Sequence, residues 1–230
     1  ARFGVYWAPP AGSPLAAFGA SWLGWDAEAG APAAHPAVDG LPAPLAEITA
    51  TPRRYGFHAT LKPPFALAEG TTAEGLDAAL ADLAASLAPF DVPAGLRIKA
   101  GPRFVSLRLA GPSAEMASLA AACVRGLDAF RAPAAEAELA RRRRAGLSAA
   151  QEANLIRWGY PYVMDQFDFH LTLSGPLPPE DCAAVGAAVA PLAAPHLTGP
   201  LGIAELVLFG DPGGGAPFRI LRRHQLGLDR

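Results

Sequence analysis

Two pentapeptides of the form Phe-His-x-Thr-Leu stand one in each half of the chain, Phe57-His58-Ala59-Thr60-Leu61 and Phe169-His170-Leu171-Thr172-Leu173. Each alternates apolar and polar residues, as a strand does when one face is buried and the other looks into a cavity. His58 and Thr60 then share one face, and His170 and Thr172 share the corresponding face of the second copy. Two imidazoles meeting over one substrate suit general acid–base catalysis, because the free ring titrates near neutral pH. One takes a proton from an attacking water or hydroxyl; the other, protonated, gives one to the departing oxygen. The threonine hydroxyls add donors for a phosphoryl group whose oxygens gain charge in the transition state. Such a site calls for no metal and no cofactor, and unperturbed imidazoles place its optimum between about pH 6 and 8.

The same alternation assigns Arg54 and Lys62 to the face of His58 and Thr60, where either cation could neutralise a phosphate. Ser174 follows Thr172 on the second copy. Arg2 and Tyr6 face the cleft if the first strand lies beside the first motif strand. The alternative for each is a solvated strand residue. Metal binding is the rival use of two histidines. Asp168 is the nearest third ligand, but Gly56 holds its equivalent place in the first copy, so the two motifs do not make matched ligand sets. No Gly-x-Ser-x-Gly elbow is present, and Gly213-Gly214-Gly215 lacks the Lys-Ser or Lys-Thr of a phosphate loop. The Arg141–Arg144 run, on a helix, reads as a solvated exterior paired with Glu136 and Glu138. His35, His196 and His224 have no matching context and read as surface or structural residues.

The surrounding pattern predicts how these residues are held. Residues 2–7 alternate as a strand, with Phe3, Val5 and Trp7 on one side, and not as a signal peptide. Ser13 caps a helix with Pro14 in its first turn. Residues 27–52 read as a surface connection containing one helical turn. The first motif strand spans 54–61, stopped by Pro63-Pro64, and a Thr72-capped helix covers 72–88. Strands at 96–100 and 103–109 form a hairpin, followed by a helix at 113–130 and a charged helical insertion at 134–157. The second motif strand spans 166–173, then come a helix at 179–193 and strands at 202–209 and 217–223. The order motif strand, helix, strand, turn, strand thus occurs twice, at 54–110 and 166–224, within one two-lobed domain over residues 1–230.

Composition narrows the function classes. Apolar residues make up 51% of the chain and charged residues 17%, which fits a folded globular protein. A net charge of −2 speaks against binding long nucleic acid by general electrostatics. Cys123 and Cys182, both in Ala-rich helical patterns, build neither a disulfide framework nor a zinc site, which points to a reducing cytoplasm. The Ala-rich stretches are interrupted by Pro, Gly or charge, so no membrane span is expected. The oligomeric state is not legible.

With its paired His-x-Thr motifs the chain resembles the 2H phosphoesterase superfamily. The stretches Arg53-Arg54-Tyr55-Gly56-Phe57-His58-Ala59-Thr60-Leu61-Lys62 and Arg157-Trp158-Gly159-Tyr160-Pro161-Tyr162, with Arg2-Phe3-Gly4-Val5-Tyr6 and Ala132-Pro133, resemble one bacterial branch. That branch is associated with phosphonate-utilisation genes. The resemblance implies a duplicated two-lobed α+β fold, antiparallel sheets lining a central cleft with helices outside. It implies metal-independent phosphodiester chemistry with His58 and His170 as the acid–base pair and Thr60 and Thr172 on the phosphate. It also implies a small phosphorylated sugar or nucleotide as substrate, for instance a ribose cyclic phosphate. Two alternatives stand beside this reading: an RNA-end 2′,3′-cyclic phosphodiesterase or 2′-5′ ligase, and a nucleotide-binding module without turnover.

Overall fold

Local signals set most of the elements in the computed structural model, which describes residues 1–227. Strand β1 (Arg2–Trp7) sends Phe3, Val5 and Trp7 into the main core and Tyr6 to the opposite side. Helix α1 (Pro14–Leu23) begins where the Ala16 N–H donates to Ser13 Oγ at 3.2 Å. A ribbon of β2 (Trp25–Asp26) and β3 (Ala31–Pro32) and two single-turn helices, α2 (Leu45–Ile48) and α3 (Ala50–Arg53), follow. Next come β4 (Ala59–Phe65), α4 (Ala73–Ala85), β5 (Phe90–Val92), β6 (Leu96–Ala100), β7 (Val105–Leu109) and α5 (Ala114–Gly126). The second half holds α6 (Glu136–Arg143), α7 (Ala149–Trp158), β8 (His170–Thr172), α8 (Pro179–Ala193), β9 (Leu201–Ile203), β10 (Glu205–Asp211) and β11 (Arg219–Gln225).

The architecture is α+β. Seven strands form a sheet in the order β11-β10-β1-β4-β8-β7-β6, with every pairing antiparallel. Its two sides meet where β4 adjoins β8, through the single pair Ala59 and Leu171. The halves of the chain interleave. The β6–β7 hairpin of the first half extends β8, while the β10–β11 hairpin of the second half joins β4 through β1. The helices follow suit: α4 packs on β10 and β11, α8 on β6 and β7, and α5 on β4. Strands β5 and β9, one from each half, pair with each other. Large apolar side chains from the sheet and these helices, among them Trp7, Trp22, Leu76, Leu107 and Met116, fill one core on the helical face. No helix among the described residues is long and apolar enough to cross a membrane.

Several expected boundaries move. Strand β4 starts at Ala59 and not at 54, because α3 and a turn occupy 50–55. It continues through Pro63-Pro64 instead of stopping there. Beside β8 it pairs only at Ala59, so the prolines lie where that edge has no ladder to lose. Strand β8 is trimmed to three residues by a 3₁₀ turn over Met164–Gln166. The charged insertion is two helices rather than one, separated by a turn at Gly146. Ser148 and Gln151 open the second with reciprocal side-chain caps.

Candidate active site

The strand register fixes which side chains share the face opposite the helices. Ala59 and Leu171 stand opposite each other and are fully buried in the core. Their neighbours His58, Thr60, His170 and Thr172 therefore point the other way. Tyr6 lies opposite Thr60, Arg108 opposite His170 and Ser106 opposite Thr172, adding β1 and β7 to the same surface. His58 sits just before β4, after Gly56 at φ 76, a left-handed conformation in which a side chain is strained. A Cβ on Gly56 would also meet the Ala27 side chain at 3.0 Å.

Both imidazoles are oriented by the same local hydrogen bond. His58 Nδ1–H donates to the Gly56 carbonyl at 2.9 Å, and His170 Nδ1–H donates to the Asp168 carbonyl at 2.8 Å. In the neutral rings this leaves each Nε2 as an acceptor. The Thr60 hydroxyl donates to His58 Nε2 at 3.1 Å. Burial lowers the pKa of His58 to about 4, and the charge of His170 pushes the same way. Burial likewise lowers His170 to about 4, with the Arg108 guanidinium adding to it. Each ring is a neutral base at pH 7.

Aromatic and cationic neighbours wall this surface. The Tyr6 ring stacks on His58 at 3.8 Å and 22°, with Phe209 behind at 5.7 Å from the imidazole. Gly4 makes room for Tyr6, since a Cβ there would come within 2.6 Å of its ring and hydroxyl. Tyr6 is fully buried, and its hydroxyl has no hydrogen-bond partner. Burial raises its pKa well above the usual phenol range, with Tyr55, Tyr160 and Asp211 adding to the shift and Arg2 opposing it. Beyond His170, Arg108 pairs with Asp168 and donates from Nε to Ser106 Oγ at 3.2 Å. Phe104 lies 6.2 Å from His170 and is also crossed by the Arg108 guanidinium.

Of the residues the sequence put forward, the structure gathers His58, Thr60, His170, Thr172 and Tyr6. Lys62 does not join them. A β-bulge sets Val5, and not the residue before it, opposite Lys62, which turns that side chain into the core face. There Lys62 is 1% exposed, donates to the Val124 carbonyl at 3.1 Å and lies 3.6 Å from Asp128. Burial lowers its pKa to about 8 against the pull of Asp128. Ser174 is committed to the backbone, accepting from the Val105 N–H at 2.9 Å and donating to the Gly175 carbonyl at 2.9 Å. Arg54 is exposed at the end of α3, outside the motif strand, with the Phe218 N–H on its carbonyl. The carboxylate of Asp168, the expected third metal ligand, is held by Arg108.

Three side chains were not singled out from sequence, two of them on the face of the histidines. Arg108 and Ser106 alternate with Val105, Leu107 and Leu109, so their common face is legible, but nothing in the pattern says that β7 adjoins β8. Arg142 belongs to the run whose pattern predicts a solvated exterior, yet its guanidinium lies 4.6 Å from the Tyr160 ring centre and bonds Glu138 at 2.5 Å. Its Nε is buried without a partner.

The chain resembles two curated proteins named ribose 1,5-bisphosphate phosphokinase PhnN. The one from Janthinobacterium sp. (strain Marseille) is 41% identical over 223 residues, covering 94% of this chain and 49% of the relative. The one from Laribacter hongkongensis (strain HLHK9) is 39% identical over 223 residues, covering 96% and 51%. The chain thus spans about half the length of the curated relatives it matches. A solved structure titled "Crystal structure of phosphoesterase" aligns over 99% of each chain with a TM-score of 0.39 and 16% identity, too loose a likeness to transfer fold or function. The family described as "Protein of unknown function (DUF1045)" matches residues 60–219, most of the strands and helices described above, and the chain belongs to it.

Proposed function

We propose that this chain is a metal-independent phosphodiesterase that opens a small cyclic phosphate ester, with a ribose cyclic phosphate as the model substrate. The observation that carries the reading is the matched pair of imidazoles. Each is tethered through Nδ1 to the carbonyl two residues earlier, which leaves Nε2 as the proton-exchanging atom on one face, with His58 Nε2 accepting from the Thr60 hydroxyl until substrate takes that donor. In the reaction, water attacks phosphorus in line while one Nε2 takes its proton. The phosphorus–oxygen bond to the sugar breaks, and the other imidazole, protonated, delivers a proton to the leaving oxygen. The products are a phosphate monoester and a free hydroxyl. Thr60 and Thr172, on the face of the histidines, donate to the non-bridging oxygens as charge builds there. The phosphonate association of the resembled branch, and the ribose phosphate in the relatives' printed name, both favour a phosphorylated sugar. The kinase chemistry in that name is assigned here to the half of those proteins that this chain does not span, since the sequence carries no Gly-x-x-x-x-Gly-Lys-Ser/Thr loop.

A panel of ribose and nucleoside cyclic phosphates, assayed with and without a chelator, tests this directly. The expected result is chelator-resistant opening of at least one member. His58→Ala and His170→Ala should each keep the fold and lower turnover by about 10²–10⁴-fold. Near-wild-type rates in both variants would remove the acid–base assignment. Loss of activity with chelator, restored by zinc or manganese, would replace it with metal-assisted hydrolysis.

A further inference from the structure

The face that holds the histidines continues across β7 onto β6, and it carries more positive charge than one phosphodiester needs. Arg97 stands opposite Arg108, which stands opposite His170; in the next row Lys99 stands opposite Ser106, which stands opposite Thr172. Two cations facing each other across strands repel, so this placement costs stability unless an anion comes between them. The repulsion reaches Arg108 itself, whose pKa is lowered by burial and then by Arg97. Arg97, Lys99 and Arg108 line a recess of about 300 Å³ with Asp168, the one acidic residue in its wall, closed by Gly111, Pro112 and Ser113 at the start of α5. Asp168 is spent on Arg108, while Arg97 and Lys99 are exposed with no carboxylate paired to them among the described residues. Strands lie about 4.8 Å apart, so the β6 row is roughly 10 Å from the row of His170. Long cationic side chains reach across that gap, and a five-carbon sugar with phosphates at both ends spans it.

We propose that Arg97 and Lys99 form a second anion subsite beside the two-histidine centre, making the protein selective for sugar phosphates that carry an anionic group in addition to the one between the imidazoles. This rests on the reading of the histidine face as a phosphate site. The test is calorimetric binding, which needs no turnover, with ribose 1,5-bisphosphate and ribose 5-phosphate as probes. Wild-type protein should bind the bisphosphate at least about tenfold more tightly, as a charge-assisted contact implies. Arg97→Met/Lys99→Met, on exposed positions, should abolish that preference, and Arg97→Lys should retain part of it. Equal binding of the two probes by wild type, or a preference that survives the double substitution, overturns the proposal. Tight, salt-sensitive binding of single-stranded RNA lost in the same variant would also overturn it, assigning the cations to a nucleic-acid track. If the bisphosphate preference behaves as expected yet no cyclic ester is opened, the subsite stands and the hydrolytic reading falls.

Discussion

Burial holds both His58 and His170 neutral at pH 7, each with a pKa of about 4, so in the reaction proposed above the acid member of the pair must gain its proton along with the substrate. An anionic ester beside the rings favours the imidazolium. Titrating a non-hydrolysable cyclic phosphate analogue at pH 7 in buffers of different ionisation enthalpy should therefore reveal proton uptake approaching one. In the free protein the singly protonated pair grows as pH falls, so kcat/KM should rise from pH 8 towards pH 5, below the optimum of 6 to 8 expected for unperturbed rings. An optimum near 7 without proton uptake would show the rings to be solvated. The same shift carries a stability consequence. Between the unfolded value near 6.5 and the folded value near 4, the unfolded chain binds protons that the folded one refuses, so stability is full above 6.5 and declines as pH falls through that window. At this scale the sequence was informative because His-x-Thr alternation is local. The depressed basicity was not legible, since it comes from Tyr6, Phe209 and Arg108 on other strands.

Lys62 shows where local reading fails at the level of an element. Strict alternation from His58 through Thr60 puts it in the cleft; one extra residue in β4 inverts it into the core, under α5. No residue type announces a bulge inside Leu61-Lys62-Pro63-Pro64. The prolines mark an irregular stretch, yet they read equally as a stop. Lys62→Met should then leave turnover within about threefold of wild type while lowering the melting temperature, because a buried hydrogen bond to Val124 is lost. A hundredfold loss of turnover in a variant with unchanged melting would return Lys62 to the site. Helix signals were more dependable: Thr72 caps α4 through the Gly75 N–H at 3.0 Å, and α8 fills its expected span of 179–193. Caps and 3.6-residue periodicity are settled within a few residues, whereas strand faces depend on distant partners.

For the whole molecule, the order of elements was visible as a repeat, but their exchange in space was not, because sequence order does not say whose edge a hairpin will extend. Every strand next to the two motifs comes from far along the chain or from its opposite half. Pieces cut at the Gly146 turn should each be unstructured alone and regain a cooperative melt, with whatever activity the intact chain shows, only when mixed. Independent folding of either piece would contradict the interleaved sheet. For a chain emerging from the ribosome, this threading imposes an order of events. Strand β1 is made long before its partner β10, so the motif strand β4 waits with an unfinished neighbour until residues 205–211 have emerged. Loops of that length close slowly. Refolding should accordingly be slow and prone to aggregation, and a ribosome stalled before residue 205 should hold a chain that proteases still cut throughout.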